Sequence, residues 1–367
     1  MYVPQAKIHL NRLVHNYNSV KKIVGGAGVM AVVKADAYGH GMLPISMALA
    51  EAGTTAFGVA TLTEALDLKK AGLTPFILHM GRFEPDRLNE YVEHDLRLSI
   101  QALEDIDILE SAHAANGAEF IAHLKIDTGM TRMGVPYEQG VEALERINAL
   151  PFIKLEGLYS HFATADEAEQ SYLRYQLIRF TQFAHMTRKM GMQVDYFHTA
   201  NSAAILQDAA SHFNMVRPGL LLYGAVPAGH LDLPFEPKPV MDLWAPVVLN
   251  RQLAKGTPIG YGREYRAPEK GETAVLQIGY ADGFPVSLSN KGLVEINGQI
   301  RQILGRISMD LSNIDITGMD VKLGERALVW GMGSETVRIE QQALRAGTIP
   351  YELLTGLGKR VVRIYVK

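Results

Sequence analysis

The chain has 367 residues, 47% of them hydrophobic and 20% charged, a composition that describes an ordinary globular protein long enough for a barrel of about 250 residues plus an added domain. Its 36 basic and 39 acidic side chains nearly balance at a net charge of -3, so neither a nucleic-acid surface nor a polybasic membrane patch is expected. With no cysteine, disulfides and thiolate chemistry are excluded. No HExxH or EF-hand loop suggests a metal. The opening MYVPQAKIHLNRLV lacks the apolar run of a signal peptide, and no segment approaches the roughly 20 apolar residues that cross a bilayer. A cytoplasmic protein acting on a small molecule, with no nucleic acid and no membrane, is the expectation.

In chain order, a helical stretch (NRLVHNYNSVKKIVG) precedes eight short runs that read as strands. They are VMAVVK (29–34), TAFGVAT (55–61), PFILHM (75–80), LRLSI (96–100), EFIAHLKID (119–127), IKLEGLYSH (153–161), VDYFHT (194–199) and NMVRPG (214–219). Between most of them lie segments with helical i, i+3/i+4 spacing, such as LTEALDLKKAG and YEQGVEALERINAL, several ending in glycine. Strand–helix alternation of this kind predicts an α/β protein with an N-terminal (β/α)8 TIM-type barrel, a doubly wound open sheet being the rival. A proline-rich stretch, LDLPFEPKPVMDLWAPV (231–247), marks a domain boundary. Beyond it helical periodicity nearly vanishes, and NG at 297–298 signals a hairpin. The expected domains are therefore a barrel over 1–236 and a C-terminal mostly-β domain over 237–367.

One segment carries chemistry. In AVVKADAYGHG (31–41) an apolar strand runs out at Lys34, at the C-terminal mouth where barrels place their active sites. Partial burial there would lower the pKa of the amine and free it for Schiff-base formation. A lysine after a strand is by itself more often a surface residue. The longer string VKADAYGHG, however, resembles the pyridoxal-phosphate attachment motif of the alanine racemase family. The resemblance continues in order through LKIDTGMTRMG (124–134), SHFATAD (160–166), HTANSAA (198–204), VRPGLLLYG (216–224), YGREY (261–265), IGYADGF (278–284), GRISMD (305–310) and IPYELLTGLGKRVVRIY (349–365).

This resemblance implies a pyridoxal 5'-phosphate enzyme that interconverts L- and D-alanine and supplies D-alanine for the cell-wall peptidoglycan. It implies a homodimer whose active sites are shared between subunits. Moving the alanine Cα proton from one face to the other requires a base on each face. By resemblance these are Lys34, acting on the D-enantiomer, and Tyr261, acting on the L-enantiomer and presented by the partner's C-terminal domain. A phenol ordinarily titrates near 10, so Tyr261 needs supporting charge or hydrogen bonds to work near neutrality.

Arg217 is implied to donate to the pyridine nitrogen. An always-charged guanidinium disfavours protonation there and weakens the ring as an electron sink. His161 is expected to link Arg217 toward Tyr261, and His198 to pack against the ring. Tyr38, Ser202, the amides around Gly219 and Leu220, and Tyr351 match the phosphate cradle. Arg132 and Met309 match substrate-binding positions, Met309 coming from the partner, and Lys125 lies where family members carry a carbamylated lysine. Two positions depart from the family pattern: Ser308 stands where cysteine is frequent, and Val286 where an arginine lines the entryway with Asp166 and Arg306. Three rival readings remain: a racemase of broader or serine preference, a non-catalytic pyridoxal-phosphate carrier lacking the C-terminal domain, and a decarboxylase relying on a thiol that this chain does not have.

Overall fold

The computed structural model describes residues 2–367. Eight short strands pair side by side, every pairing parallel, in the order Met215–Val216, Gly28–Val32, Ala56–Val59, Phe76–His79, Leu96–Ile100, Phe120–Asp127, Ile153–Tyr159 and Tyr196–His198. The first and last of these lie next to each other, so the sheet curls into a nearly closed barrel. The expected barrel is therefore observed, and the open doubly wound sheet is not. These strands are short apolar runs because both faces are covered, by barrel filling inside and by helices outside. Ala56–Val59 is buried at all four positions.

The surrounding helices show why the sequence chose them. Leu10–Val24 buries Leu13, Asn16, Tyr17, Val20 and Val24, a stripe at three- and four-residue steps. In Leu62–Lys70 the Thr61 hydroxyl accepts from the Glu64 amide while the Glu64 carboxylate reaches back, forming a capping box. Leu103–Asn116 stops at Gly117, whose φ of 74° closes the helix in the left-handed region.

A second sheet of eight strands carries the C-terminal part, with Leu293–Ile296 and Gln299–Leu304 joined as a hairpin. At its turn Asn297 and Gly298 both have positive φ, as the NG signal requires. Two expectations are corrected here. Gln5–His9, assigned to the barrel module 1–236, instead lies in this second sheet, antiparallel to Met241–Leu253 and parallel to Val362–Val366. Its alternation of buried Ala6 and Ile8 with more open neighbours is that of a half-covered strand, which a polar-looking chain start conceals. The C-terminal region also holds two helices, Ile339–Ala346 and Pro350–Thr355, too short to show clear periodicity.

Candidate active site

The strand Gly28–Val32 ends before Lys34, so this lysine opens the following turn and is not a strand residue as expected. The turn is unusual. Ala35, Asp36, Ala37 and Tyr38 all have φ near 53°, four consecutive non-glycine residues in the left-handed region. Each such residue costs on the order of 1–2 kcal/mol, so neighbouring groups must hold the turn. The Ala35 amide donates to the Glu64 carboxylate at 2.6 Å, the Met42 amide donates to the Asp36 carboxylate at 2.7 Å, and the Ala37 amide donates to the Val33 carbonyl at 2.9 Å. Glu64 and Asp36 were not singled out in the sequence.

Lys34 is pushed below the ordinary lysine value, first by burial and then by the charge of Arg132, with Glu64 opposing and Arg217 assisting. Lys125, on Phe120–Asp127, is pushed down to about 8 by burial and by Arg217 and Arg132, and its ammonium lies 5.6 Å from the centre of the Tyr159 ring. Four cationic side chains thus share the mouth of the barrel. Arg132 is carried by the loop after this strand, where the Asp127 carboxylate accepts from the amides of Gly129, Met130 and Thr131 and so fixes the turn.

Arg217 is buried and almost fully bonded. One terminal nitrogen donates to His198 Nδ1 at 2.8 Å and to the His198 carbonyl at 2.6 Å. The other donates to the carbonyls of Ser160 (2.6 Å) and Thr199 (3.1 Å) and to His161 Nδ1 (3.2 Å). Among the described residues, the Arg217 Nε–H has no hydrogen-bond partner. Burial takes the guanidinium down to about 10, still charged at neutral pH, while burial followed by the Arg217 charge holds His161 and His198 well below the usual histidine value.

The expected role of His198 needs correction. Its side chain is fully buried, its ring stacks on Tyr159 at 4.9 Å and 7°, and its two nitrogens meet Arg217 and His123. No face is left to pack against a cofactor, so His198 holds Arg217 from beneath. His161, only partly buried, is the imidazole at the mouth.

The expected phosphate cradle is brought together. Ser202 Oγ accepts from the amides of Gly219 (3.0 Å) and Leu221 (3.2 Å), which leaves its O–H free to donate outward. Tyr38 stacks on Tyr223 at 4.8 Å and lies 5.9 Å from the Tyr351 ring. A Cβ on Gly219 would stand 2.3 Å from the Tyr38 hydroxyl, so the glycine is required by space alone. Burial, then the Asp166 charge, takes Tyr351 up to about 12, and burial raises Tyr38 further still; both remain protonated donors.

The C-terminal candidates are not brought to this cluster. Tyr261 is 72% exposed and Met309 51% exposed, and among the described residues no hydrogen bond or ring contact ties Tyr261 to any side chain. Arg306 faces Glu264 at 3.7 Å, and Asp166 lies beside Tyr351; within one chain the two do not pair. Val286 opens a single half-buried turn, Val286–Leu288.

Comparisons with known proteins agree with this arrangement. The family model described as "Alanine racemase, N-terminal domain" matches residues 8–227, and "Alanine racemase, C-terminal domain" matches 240–365. The chain is 37% identical over 365 residues to the alanine racemase of Desulforamulus reducens, covering 98% of both proteins. Its fold superposes on the alanine racemase of Streptomyces coelicolor with a TM-score of 0.95 at 35% identity, over 100% of this chain and 99% of that one. It superposes on the alanine racemase of Bartonella henselae with covalently bound pyridoxal phosphate at a TM-score of 0.90 and 30% identity, over 99% of each. A match to the C-terminal model leaves no room for the carrier or decarboxylase readings: this chain belongs to the alanine racemase family.

Proposed function

We propose that this chain interconverts L- and D-alanine with Lys34 and Tyr261 as its two bases, around a pyridoxal phosphate held at the barrel mouth and in an active site completed by a second copy of the chain. The observation that carries the reading is the Lys34 amine, held behind a strained turn and lowered below the ordinary lysine value by burial and by Arg132. An amine lowered in this way is more readily available than an ordinary lysine both to bond a carbonyl and to accept a proton.

The residues present fit the cofactor. Ser202, Tyr38, Tyr351 and the Leu220 amide would hold its phosphate, with Gly219, its own amide donated to Ser202 Oγ, leaving the space that a side chain at 219 would fill. The unpartnered Nε–H of Arg217 would meet the ring nitrogen, and the partly buried His161 would lie at the ring. When bound, the cofactor supplies the electron sink that makes the alanine Cα proton removable. Buried and cationic, Arg217 would disfavour a proton on the ring nitrogen of a bound cofactor and so would moderate that sink and suppress side reactions.

Arg132 would engage the alanine carboxylate through its planar fork, with the Met309 amide of a second copy assisting. Lys34 would take or return the proton on the D-side and Tyr261 of the other subunit on the L-side. Lys125, deprotonated enough at about 8 to react with carbon dioxide, would carry a carbamate whose negative charge orients Arg132. Val286 in place of an arginine would leave the entryway more apolar. No described helix is long and apolar enough to cross a membrane; we place the enzyme in the cytoplasm, supplying D-alanine for peptidoglycan. The test is proton exchange into L- and D-alanine, and into L- and D-serine, in deuterated water. The reading expects exchange from both alanine enantiomers and fails if neither exchanges.

A further inference from the structure

Arg217 carries a full positive charge at a buried position, yet every group it touches is neutral: three carbonyls and two imidazoles. A buried cation without an adjacent anion is expensive, so the groups that hold it must be well oriented, and the nearest carboxylate on this side is informative. It lies two imidazoles away. His198 Nε2 meets His123 Nδ1 at 2.9 Å, and His123 Nε2 meets the Glu156 carboxylate at 3.4 Å. Glu156 is in turn bonded by Arg97 through both of its oxygens, at 3.0 and 3.2 Å.

We propose that His123 is a positioning residue for Arg217, the middle link of a one-directional chain Arg217–His198–His123–Glu156 that ends on a carboxylate held in turn by Arg97 and Lys154. The direction follows from the two ends. A guanidinium only donates, so His198 Nδ1 must accept and its proton sits on Nε2. That proton is donated to His123 Nδ1, so His123 also carries its proton on Nε2 and donates it to Glu156, which as a carboxylate only accepts. Both imidazoles are thereby fixed in one tautomer, their dipoles aligned between a cation and an anion.

The backbone is shaped for this chain. Where Phe120–Asp127 pairs with Ile153–Tyr159, the register shifts between Ala122 and His123, so that Ala122 opposes Leu155 but His123 opposes Gly157. The residue skipped is Glu156. Such bulges re-aim a side chain, here the carboxylate next to the His123 ring. At Gly157 a Cβ would stand 2.3 Å from His123 Nδ1, so the glycine leaves the room that the imidazole occupies. Neither residue touches the mouth; the effect reaches it only through His198 and Arg217. The proposal rests on the assignment of Arg217 to the cofactor ring.

The experiment is nitrogen-15 NMR of histidine-labelled full-length protein as purified, with turnover measured on His123→Leu, His123→Gln and Glu156→Gln. In the unsubstituted protein both His123 and His198 are expected as neutral Nε2–H tautomers; an Nδ1–H or cationic form of either would overturn the proposal whatever the activity shows. His123→Leu is expected to lower kcat about tenfold while the alanine KM stays within about twofold, a loss the size of one net hydrogen bond. Gln can still accept from His198 and should restore most of that rate; equal losses in both variants would contradict the proposal. If His123→Leu does not fold, Glu156→Gln decides. With the charge removed, kcat should fall about threefold, and an unchanged kcat would remove Glu156 from the chain. Absence of alanine exchange in the unsubstituted protein would instead refute the functional reading and leave the tautomer result standing.

Discussion

The two halves of the candidate site differ in how completely the chain builds them. At the barrel mouth Arg217, His198, Ser202 and Tyr38 are buried and held in place, the first three by hydrogen bonds and Tyr38 by its stack on Tyr223. In the C-terminal part Tyr261 and Met309 stand in the open, and among the described residues no hydrogen bond or ring contact from another side chain holds either of them. A large exposed aromatic without a partner is poorly placed to move a proton, because catalysis needs the acid or base fixed near its target. One half is finished by folding. On the proposed reading, the other is finished only by a second copy of the chain.

The sharpest way to break that contrast is to remove each half's base. Lys34→Ala should abolish racemisation from either enantiomer, by at least about a thousandfold, as measured by chiral analysis of product. Activity in one direction alone would deny Lys34 its dual place as anchor and base. Tyr261→Phe should act on one side only, cutting solvent deuterium exchange into L-alanine by roughly a hundredfold or more while D-alanine still exchanges. Symmetric loss would mean that Tyr261 is not the L-side base. Gly219→Ala probes the finished half without touching a titrating group: its Cβ would press on the Tyr38 hydroxyl, so cofactor affinity should fall roughly tenfold or more, read by loss of the bound chromophore on dialysis.

The smallest expected effect is on stability at acid pH. Burial pushes the Glu156 carboxyl up, but hydrogen bonds from His123 and Arg97 outweigh it and hold it at about 2. Its folded value lies below its unfolded one, so this stabilisation is present above about 4.5 and is lost as pH falls from there toward 2. Arg97 and His123 together, net of burial, should therefore contribute roughly 3 kcal/mol at neutral pH. Urea unfolding from pH 6 to pH 3 should show Glu156→Gln less acid-sensitive than the unsubstituted protein; parallel curves would deny the pair its role.

The eight barrel strands were readable because a strand covered on both faces is a short apolar run, and Phe120–Asp127 and Leu96–Ile100 fall within a residue of where that signal puts them. Lys34, Arg217 and Ser202 were readable from motifs that also fix their neighbours. Other features left no signal. The left-handed turn of Ala35 to Tyr38 contains no glycine, and only the tertiary hold of Glu64 and Asp36 keeps it. Gln5–His9 looked like a polar lead-in because its partner strands lie more than two hundred residues away. His123 and Glu156 each sit in a run that reads as an ordinary strand; what joins them is a register shift, which belongs to the pairing and not to either run. His198 was given the wrong neighbour for a similar reason, since a histidine at a strand end can face the mouth or the barrel filling.

The central claim is that one chain is half a site, and mixing tests it directly. Lys34→Ala and Tyr261→Phe, each impaired alone, would be unfolded together and refolded so that subunits exchange. A shared site gives each mixed dimer one intact pair, Lys34 of one subunit with Tyr261 of the other. Random pairing should then restore L-side activity to about a quarter of that of the unsubstituted protein. A mixture no more active than its two components would contradict the account and return both bases to a single chain.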